Sequence, residues 1–200
     1  MASIGTIDPD AFLDAYRTSF NKQLPPTAQD GLRQVVQFIN AEPTLDDPRR
    51  IAYVLATIKH EAGETWQPIE EWGKGAGHPY GEPVQVTDPN TGATWDVVYD
   101  GRGYVQLTWQ RNYRVFDEKL ALRNQLWLHP ETALDPCIAW QICALGMQQG
   151  LFTGKSLTDY IAGTTCDYVG ARRIINGQDR ADLIAAYART FEDMLETALA

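Results

Sequence analysis

The sequence predicts a mainly α-helical chain folded as one domain over residues 1–200, with one small β-hairpin inserted after the third helix. Three observations carry this. Apolar residues recur at three- and four-residue intervals through most of the chain. Alternation of apolar and polar residues is confined to about 84–99, around Asp88-Pro89-Asn90-Thr91-Gly92. No internal repeat, coiled coil or low-complexity linker divides the chain.

Asp8-Pro9-Asp10 reads as a helix start, with Pro in the first turn. Phe12, Leu13, Tyr16 and Phe20 follow at helical spacing. Pro25-Pro26-Thr27 breaks this helix and opens a second, whose stripe is Leu32, Val35, Val36 and Ile39. These N-terminal helices, within residues 8–41, are expected to pack onto a core made by residues 49–200. Residues 43–48 form a turn. A third helix over about 49–64 turns Ile51, Val54, Leu55 and Ile58 inward. Glu61 lies three residues beyond Ile58 and seven beyond Val54, so it shares the buried stripe. No other charge in this helix is set so clearly against the core.

Residues 73–81 are rich in glycine and form a loop. Val84 and Val86, then Trp95, Val97 and Tyr99, make the two strands of the hairpin. A helix starts near Trp109 and continues through Tyr113, Phe116 and Leu120. Residues 130–150 read as one buried helix with Ile138, Ile142, Leu145 and Met147 in it and Gly150 at its end. Shorter helical pieces follow. A last helix over about 179–199 carries Leu183, Ile184, Tyr187, Phe191, Met194 and Leu195.

Composition excludes several classes of function. The net charge of −9 argues against nucleic acid and against anionic membrane surfaces, both of which need clustered Lys and Arg. No apolar run is long enough to span a bilayer, so no membrane insertion is expected. A neutral or mixed-charge glycan remains compatible with the charge. The six Trp and nine Tyr suit sugar rings, although most are expected to fill the core. Cys137, Cys143 and Cys166 are odd in number and lack metal-ligand spacing, which predicts reduced, mostly buried thiols. His60, His78 and His129 are too scattered for a zinc site, and neither a metal nor a cofactor is expected.

Glu61 is the strongest candidate for chemistry. A carboxyl held against apolar neighbours has its charged form disfavoured, so it can keep a proton and give it to a leaving glycosidic oxygen. The competing reading is an ion pair with Lys59 or Arg102. A second carboxylate must act across the scissile bond. Glu64, one turn from Glu61, suits a perturbing role better than an opposed one. Spacing leaves Glu70, Glu82 and Asp100 open. Gly101-Arg102-Gly103 permits close backbone approach to a ligand, and Arg102 offers a planar donor fork. Gln106, Thr108 and Asn112 are amide and hydroxyl groups matched to sugar hydroxyls and N-acetyl groups. Asn176-Gly177 reads by itself as a turn. Phosphate loops, Gly-x-Ser-x-Gly and paired Cys-x-x-Cys motifs are absent from the sequence.

These segments resemble family 19 glycoside hydrolases. His60-Glu61 at the end of its helix resembles that family's His-Glu segment. Gly101-Arg102-Gly103-Tyr104-Val105-Gln106-Leu107-Thr108, running on to Asn112-Tyr113, resembles its Gly-Arg-Gly-Pro-Ile-Gln-Leu-Ser/Thr-x-x-x-Asn-Tyr signature, with Tyr104 in place of Pro. Arg172-Arg173-Ile174-Ile175-Asn176-Gly177 resembles its Arg-x-Ile-Asn-Gly segment. His129-Pro130 resembles the Asn-Pro that precedes its long buried helix. The four matches occur in the family's order over residues 51–178.

The resemblance implies a lysozyme-like fold with the hairpin beside an active-site cleft. It is nearer to the phage-type endolysin branch than to the plant-type chitinases. It implies Glu61 as general acid, Glu70 as general base, Arg102 as the holder of the carboxylates, and Gln106, Thr108, Asn112 and Asn176 as substrate contacts. The implied activity is hydrolysis of β-1,4 bonds in peptidoglycan strands, inverting at the anomeric carbon, by a monomer. The alternatives are a chitinase acting on linked N-acetylglucosamine and a non-catalytic glycan-binding module of the same fold. With no basic-then-apolar signal at the start, the expectation is synthesis in a bacterial host cytoplasm and action on the wall after release.

Overall fold

The computed structural model describes residues 5–199. Among them the helices are α1 (Pro9–Ser19), α2 (Pro26–Asn40), α3 (Pro48–Glu61), α4 (Gln110–Lys119), α5 (Gln125–Leu128), α6 (Pro136–Gln149), α7 (Leu157–Tyr160) and α8 (Ala181–Leu199). The strands are short: β1 (Ile69–Glu70), β2 (Val84–Thr87), β3 (Thr94–Val97), β4 (Arg102–Gly103), β5 (Ile161–Ala162) and β6 (Thr165–Cys166). They form three antiparallel pairs, β1 with β4, β2 with β3 and β5 with β6. The fold is therefore mainly α, as the periodicity predicts. Two compact units can be distinguished. One joins the chain up to Gln67 to the chain from Cys143 onward; the other is Pro68–Ile142.

In the first unit, Asp8 caps α1 by accepting from the Asp10 and Ala11 amides at 2.8 and 3.0 Å. The apolar faces of α1 and α8 meet through Phe12 and Phe191, stacked at 6.3 Å. Trp66 packs edge-on against both Tyr16, at 5.7 Å, and Phe191, at 6.0 Å. Gly31 in α2 lies under the Trp66 backbone: a Cβ there would sit 2.2 Å from the Trp66 carbonyl oxygen. α3 ends three residues earlier than the spacing predicts. Gly63 and Glu64 take φ of 58° and 63°, which turns the chain out of the helix. Glu61 is thereby the last residue of α3.

Glu61 is not the charge most deeply set in this helix. Lys59 is 2% exposed, and its ammonium lies 4.3–5.0 Å over the rings of Tyr16, Phe20 and Tyr187. Glu64 accepts from both Lys59 and Lys22, so it neutralises this buried amine.

In the second unit the hairpin pairs from Val84↔Val97 to Thr87↔Thr94, as the alternation predicts. The Gly-Arg-Gly segment contributes β4, in the register Ile69↔Gly103 and Glu70↔Arg102. α4 starts at Gln110, with Trp109 in the N-cap position at φ 73°.

The expected helix over 130–150 divides. Pro130–Leu134 is a 3-10 turn, and α6 starts only at Pro136. Proline forces the preceding Asp135 into extended backbone, and the Asp135 carboxylate then accepts from the Cys137 and Ile138 amides at 2.9 and 3.0 Å. The cysteines also depart from expectation. All are free thiols, but only Cys143 is buried. Cys137 lies in the exposed first turn of α6 and Cys166 on the exposed strand β6. Among the described residues no helix is long and apolar enough to cross a membrane.

Candidate active site

The first unit supplies Glu61. Its side chain is 16% exposed and its Oε1 accepts from Arg172 Nη1. At the C-terminal end of α3 a carboxylate faces the negative pole of the helix dipole, an unfavourable place that a guanidinium offsets. Arg172 itself is 3% exposed. Its Nε donates to the Asp179 carbonyl at 3.1 Å, and its Nη2 lies 3.6 Å from the Asp179 carboxylate. The Asn176 amide donates to the Arg172 carbonyl at 3.2 Å, so one arginine links Glu61 to the segment bearing Asn176. The Asn176 side chain is exposed, with its Oδ1 accepting from the Gly177 amide at 2.9 Å.

This corrects the picture of Glu61 in purely apolar surroundings. Its partner is a guanidinium 111 residues on, where the sequence offered Lys59 or Arg102. Lys59 is taken by Glu64 and by the Tyr16 hydroxyl at 2.7 Å. Arg102 belongs to the second unit.

There the β1–β4 pairing sets Glu70 opposite Arg102. Glu70 Oε1 accepts from Arg102 Nε at 3.2 Å and Nη2 at 3.0 Å, and Lys74 Nζ lies 2.9 Å from Oε2. Burial pushes the Glu70 carboxyl up, but the Lys74 ammonium and the Arg102 guanidinium outweigh it and hold the group below the usual carboxylate range. Arg102 is 6% exposed. Its Nη1 donates to the Val98 carbonyl at 3.0 Å and to the Tyr113 hydroxyl at 3.3 Å, which fixes the fork independently of Glu70.

Three carboxylates competed for the second role. Glu82 is exposed beyond the 3-10 turn Pro79–Gly81. Asp100 has no exposed surface and cannot meet a substrate water. Glu70 is 27% exposed and cation-held, which suits an ionised group in reach of solvent. Neighbouring Glu71 is committed to structure: it accepts from the Gly101 amide at 3.1 Å and the Tyr80 hydroxyl at 2.9 Å.

The polar wall is knitted to the backbone. Gln106 Nε2 donates to the Ile69 carbonyl at 3.2 Å, Thr108 Oγ1 to the Gln106 carbonyl at 2.8 Å, and Asn112 Nδ2 to the Thr108 carbonyl at 2.8 Å. All three are partly exposed. The Asn112 amide oxygen and the lone pairs of Thr108 can still face a ligand.

The sequence-derived site residues thus form two groups. Glu61 and Asn176 are joined through Arg172 in the first unit. Glu70, Arg102, Gln106, Thr108 and Asn112 are joined through β1, β4 and the start of α4 in the second. Sequence reasoning missed the roles of Arg172 and Lys74. Arg172 stood in the Arg-Arg-Ile-Ile-Asn-Gly segment; Lys74 stood four residues after Glu70 with no periodic pattern to single it out. Among the described residues no group of three or more His, Cys, Asp or Glu is arranged to hold a metal ion.

No family model and no curated relative matches the chain. Solved structures do. Chitinase C from Streptomyces griseus superposes with a TM-score of 0.62 at 20% identity, over 100% of this chain and 97% of that one. A mutant of chitinase C superposes with a TM-score of 0.54 at 19% identity, over 99% of this chain and 96% of that one. The likeness is one of fold, and the architecture is the lysozyme-like one expected from the sequence.

Proposed function

We propose that this chain is a glycoside hydrolase that cleaves β-1,4 bonds in an amino-sugar polymer, with bacterial peptidoglycan as its substrate. The observation that carries the reading is the unlike setting of two carboxylates. Glu70 is held ionised by Arg102 and Lys74, as a water-activating base must be. Glu61 has a single guanidinium partner at the end of a helix. In this scheme Glu61 protonates the leaving glycosidic oxygen while Glu70 takes a proton from the attacking water, with inversion at the anomeric carbon. Gln106, Thr108, Asn112 and Asn176 hold the sugar by its hydroxyl and N-acetyl groups. The protein works as a monomer on wall strands reached after its release from the cytoplasm.

A chitinase reading uses the same residues and is favoured by the names of the structural neighbours. The test is to incubate the protein and its Glu61→Gln variant with purified peptidoglycan and with chitin oligomers, and to count new reducing ends. We expect cleavage of peptidoglycan by the wild type and a loss of at least about a hundredfold in the folded variant. Cleavage of chitin alone moves the substrate to the second reading. A folded, fully active Glu61→Gln variant ends the mechanism, and glycan binding without new ends by the wild type makes the chain a binding module.

A further inference from the structure

Asp100 is wholly buried, and apart from its own backbone amide no hydrogen-bond donor among the described residues is aimed squarely at its carboxylate oxygens. Arg102 is its cation: Nη2 lies 2.6 Å from Asp100 Oδ1. That same nitrogen donates to Glu70 Oε1 at 3.0 Å. One guanidinium nitrogen therefore touches two carboxylates, one sealed and one partly exposed. The fork cannot swing to serve either alone, because Nη1 is fixed by the Val98 carbonyl and the Tyr113 hydroxyl. Tyr113 in turn donates to the Asp100 carbonyl at 2.9 Å.

A sealed carboxylate so poorly supplied with directed hydrogen bonds costs stability. Such an arrangement calls for a function, and the shared nitrogen indicates one. We propose that Asp100 is a positioning residue that competes with Glu70 for the Arg102 guanidinium and so sets how readily Glu70 takes a proton. The catalytic consequence rests on the assignment of Glu70 as the base; the coupling between the two carboxylates does not.

The charged and titratable groups around the pair are few. Glu70 faces Arg102 from β4 and Lys74 from the loop after β1. Asp100 faces Arg102, Glu70, Glu71 and the Tyr80 phenol. The Tyr113 phenol, from α4, faces Arg102, Asp100 and Glu70. Glu71 is occupied by the Gly101 amide and the Tyr80 hydroxyl. Burial pushes the Asp100 carboxyl up, and Arg102 opposes this without cancelling it. Without the Asp100 charge, Arg102 would act on Glu70 undivided and a nearby negative charge would vanish. Both changes lower the proton affinity of Glu70, and a weaker base activates water less well.

The test uses the full chain with 13C-labelled carboxyl groups, titrated by NMR as wild type, Asp100→Asn and Glu70→Gln. The coupling shows in the upper of the two wild-type titration steps, so the sum of the two wild-type midpoints should exceed the sum of the single midpoints left in Asp100→Asn and Glu70→Gln by about one pH unit. Because Asp100 is pushed up and Glu70 held down, that difference should appear mainly as a fall of the Asp100 midpoint in Glu70→Gln. Glu70→Gln alters a partly exposed side chain and leaves the other Arg102 bonds in place, so it reads the coupling even where Asp100→Asn does not fold. Equal sums, or an unmoved Asp100 midpoint in Glu70→Gln, overturn the proposal. The shift in a protein that cleaves no glycan would uphold the coupling and overturn the function.

Discussion

Replacing Arg172 by methionine removes the guanidinium from Glu61 while keeping most of the side chain's apolar stem. Three bonds go with it: the contact with Glu61, the Nε bond to the Asp179 carbonyl, and the long contact with the Asp179 carboxylate. The last is negligible, because at 3.6 Å that carboxylate is 65% exposed and solvent screens it. The first decides the outcome. An exposed ion pair contributes about 0–1 kcal/mol, whereas breaking a buried one by removing a single partner costs about 3–5 kcal/mol. With Arg172 at 3% and Glu61 at 16% exposure, this pair lies close to the buried limit, and a cost of about 3 kcal/mol follows. At a urea dependence of about 2 kcal/mol per molar, the unfolding midpoint should fall by about 1.5 M.

The origin of that cost can be isolated with Glu61→Gln. If it is the orphaned Glu61 charge, neutralising Glu61 in the Arg172→Met background should restore about 2 kcal/mol. Urea unfolding of the four proteins, followed by tryptophan fluorescence and far-UV circular dichroism, completes the cycle. Additivity of the two substitutions within about 0.5 kcal/mol would refute the reasoning, because independent sites add and a tight ion pair does not.

Two further outcomes follow from the first unit. Gly31→Ala sets a Cβ 2.2 Å from the Trp66 carbonyl oxygen and 2.8 Å from its carbon, backbone atoms that cannot swing away. Despite alanine's better helix propensity, the thermal midpoint should drop by about 6–10 °C, and an unchanged or higher midpoint would show that the Trp66 loop yields. Burial pushes the Glu64 carboxyl up, but Lys22 and Lys59 outweigh it and hold it below the usual range. A depressed carboxyl contributes stability that is present above its unfolded value of about 4.3 and is lost as the pH falls through the folded value. Thermal unfolding between pH 7 and pH 3 should therefore show a smaller acid loss in Glu64→Gln than in wild type, and equal losses would remove Glu64 from the account.

Much of the scaffold was legible because it rests on local rules. The stripes of Phe12, Leu13 and Tyr16, of Leu32, Val35 and Val36, and of Ile184 and Phe191 are all buried as the 3.6-residue period requires. The hairpin pairs around its Asp-Pro-Asn-Thr-Gly turn. What was not legible depends on distance along the chain. β1 and β4 are two residues each, too short for alternation to declare them, yet their register brings Glu70 to Arg102 across 32 residues. Arg172 reaches Glu61 across 111. Asp100 looks like a surface charge at the end of the hairpin, and only the packing of Tyr99 and Tyr113, 5.2 Å apart, belongs to a sealed setting. Lys59 is buried because rings from α1 and α8 converge on it, which no window on α3 reveals.

Both candidate carboxylates are held by an arginine, but the two attachments differ in a way that bears on their roles. Glu61 has one cation, and that cation is secured by the Asp179 carbonyl whether or not Glu61 stays with it. Breaking the contact leaves Arg172 in place and separates the Glu61 carboxylate from its cation. Glu70 has two cations and a rival for one of them. Losing either cation leaves the other, so ionisation of Glu70 survives small rearrangements. A group that must hand over a proton benefits from a single, severable counter-charge. A group that must stay ionised benefits from redundancy, and a rival such as Asp100 keeps that redundancy from making it too weak a base.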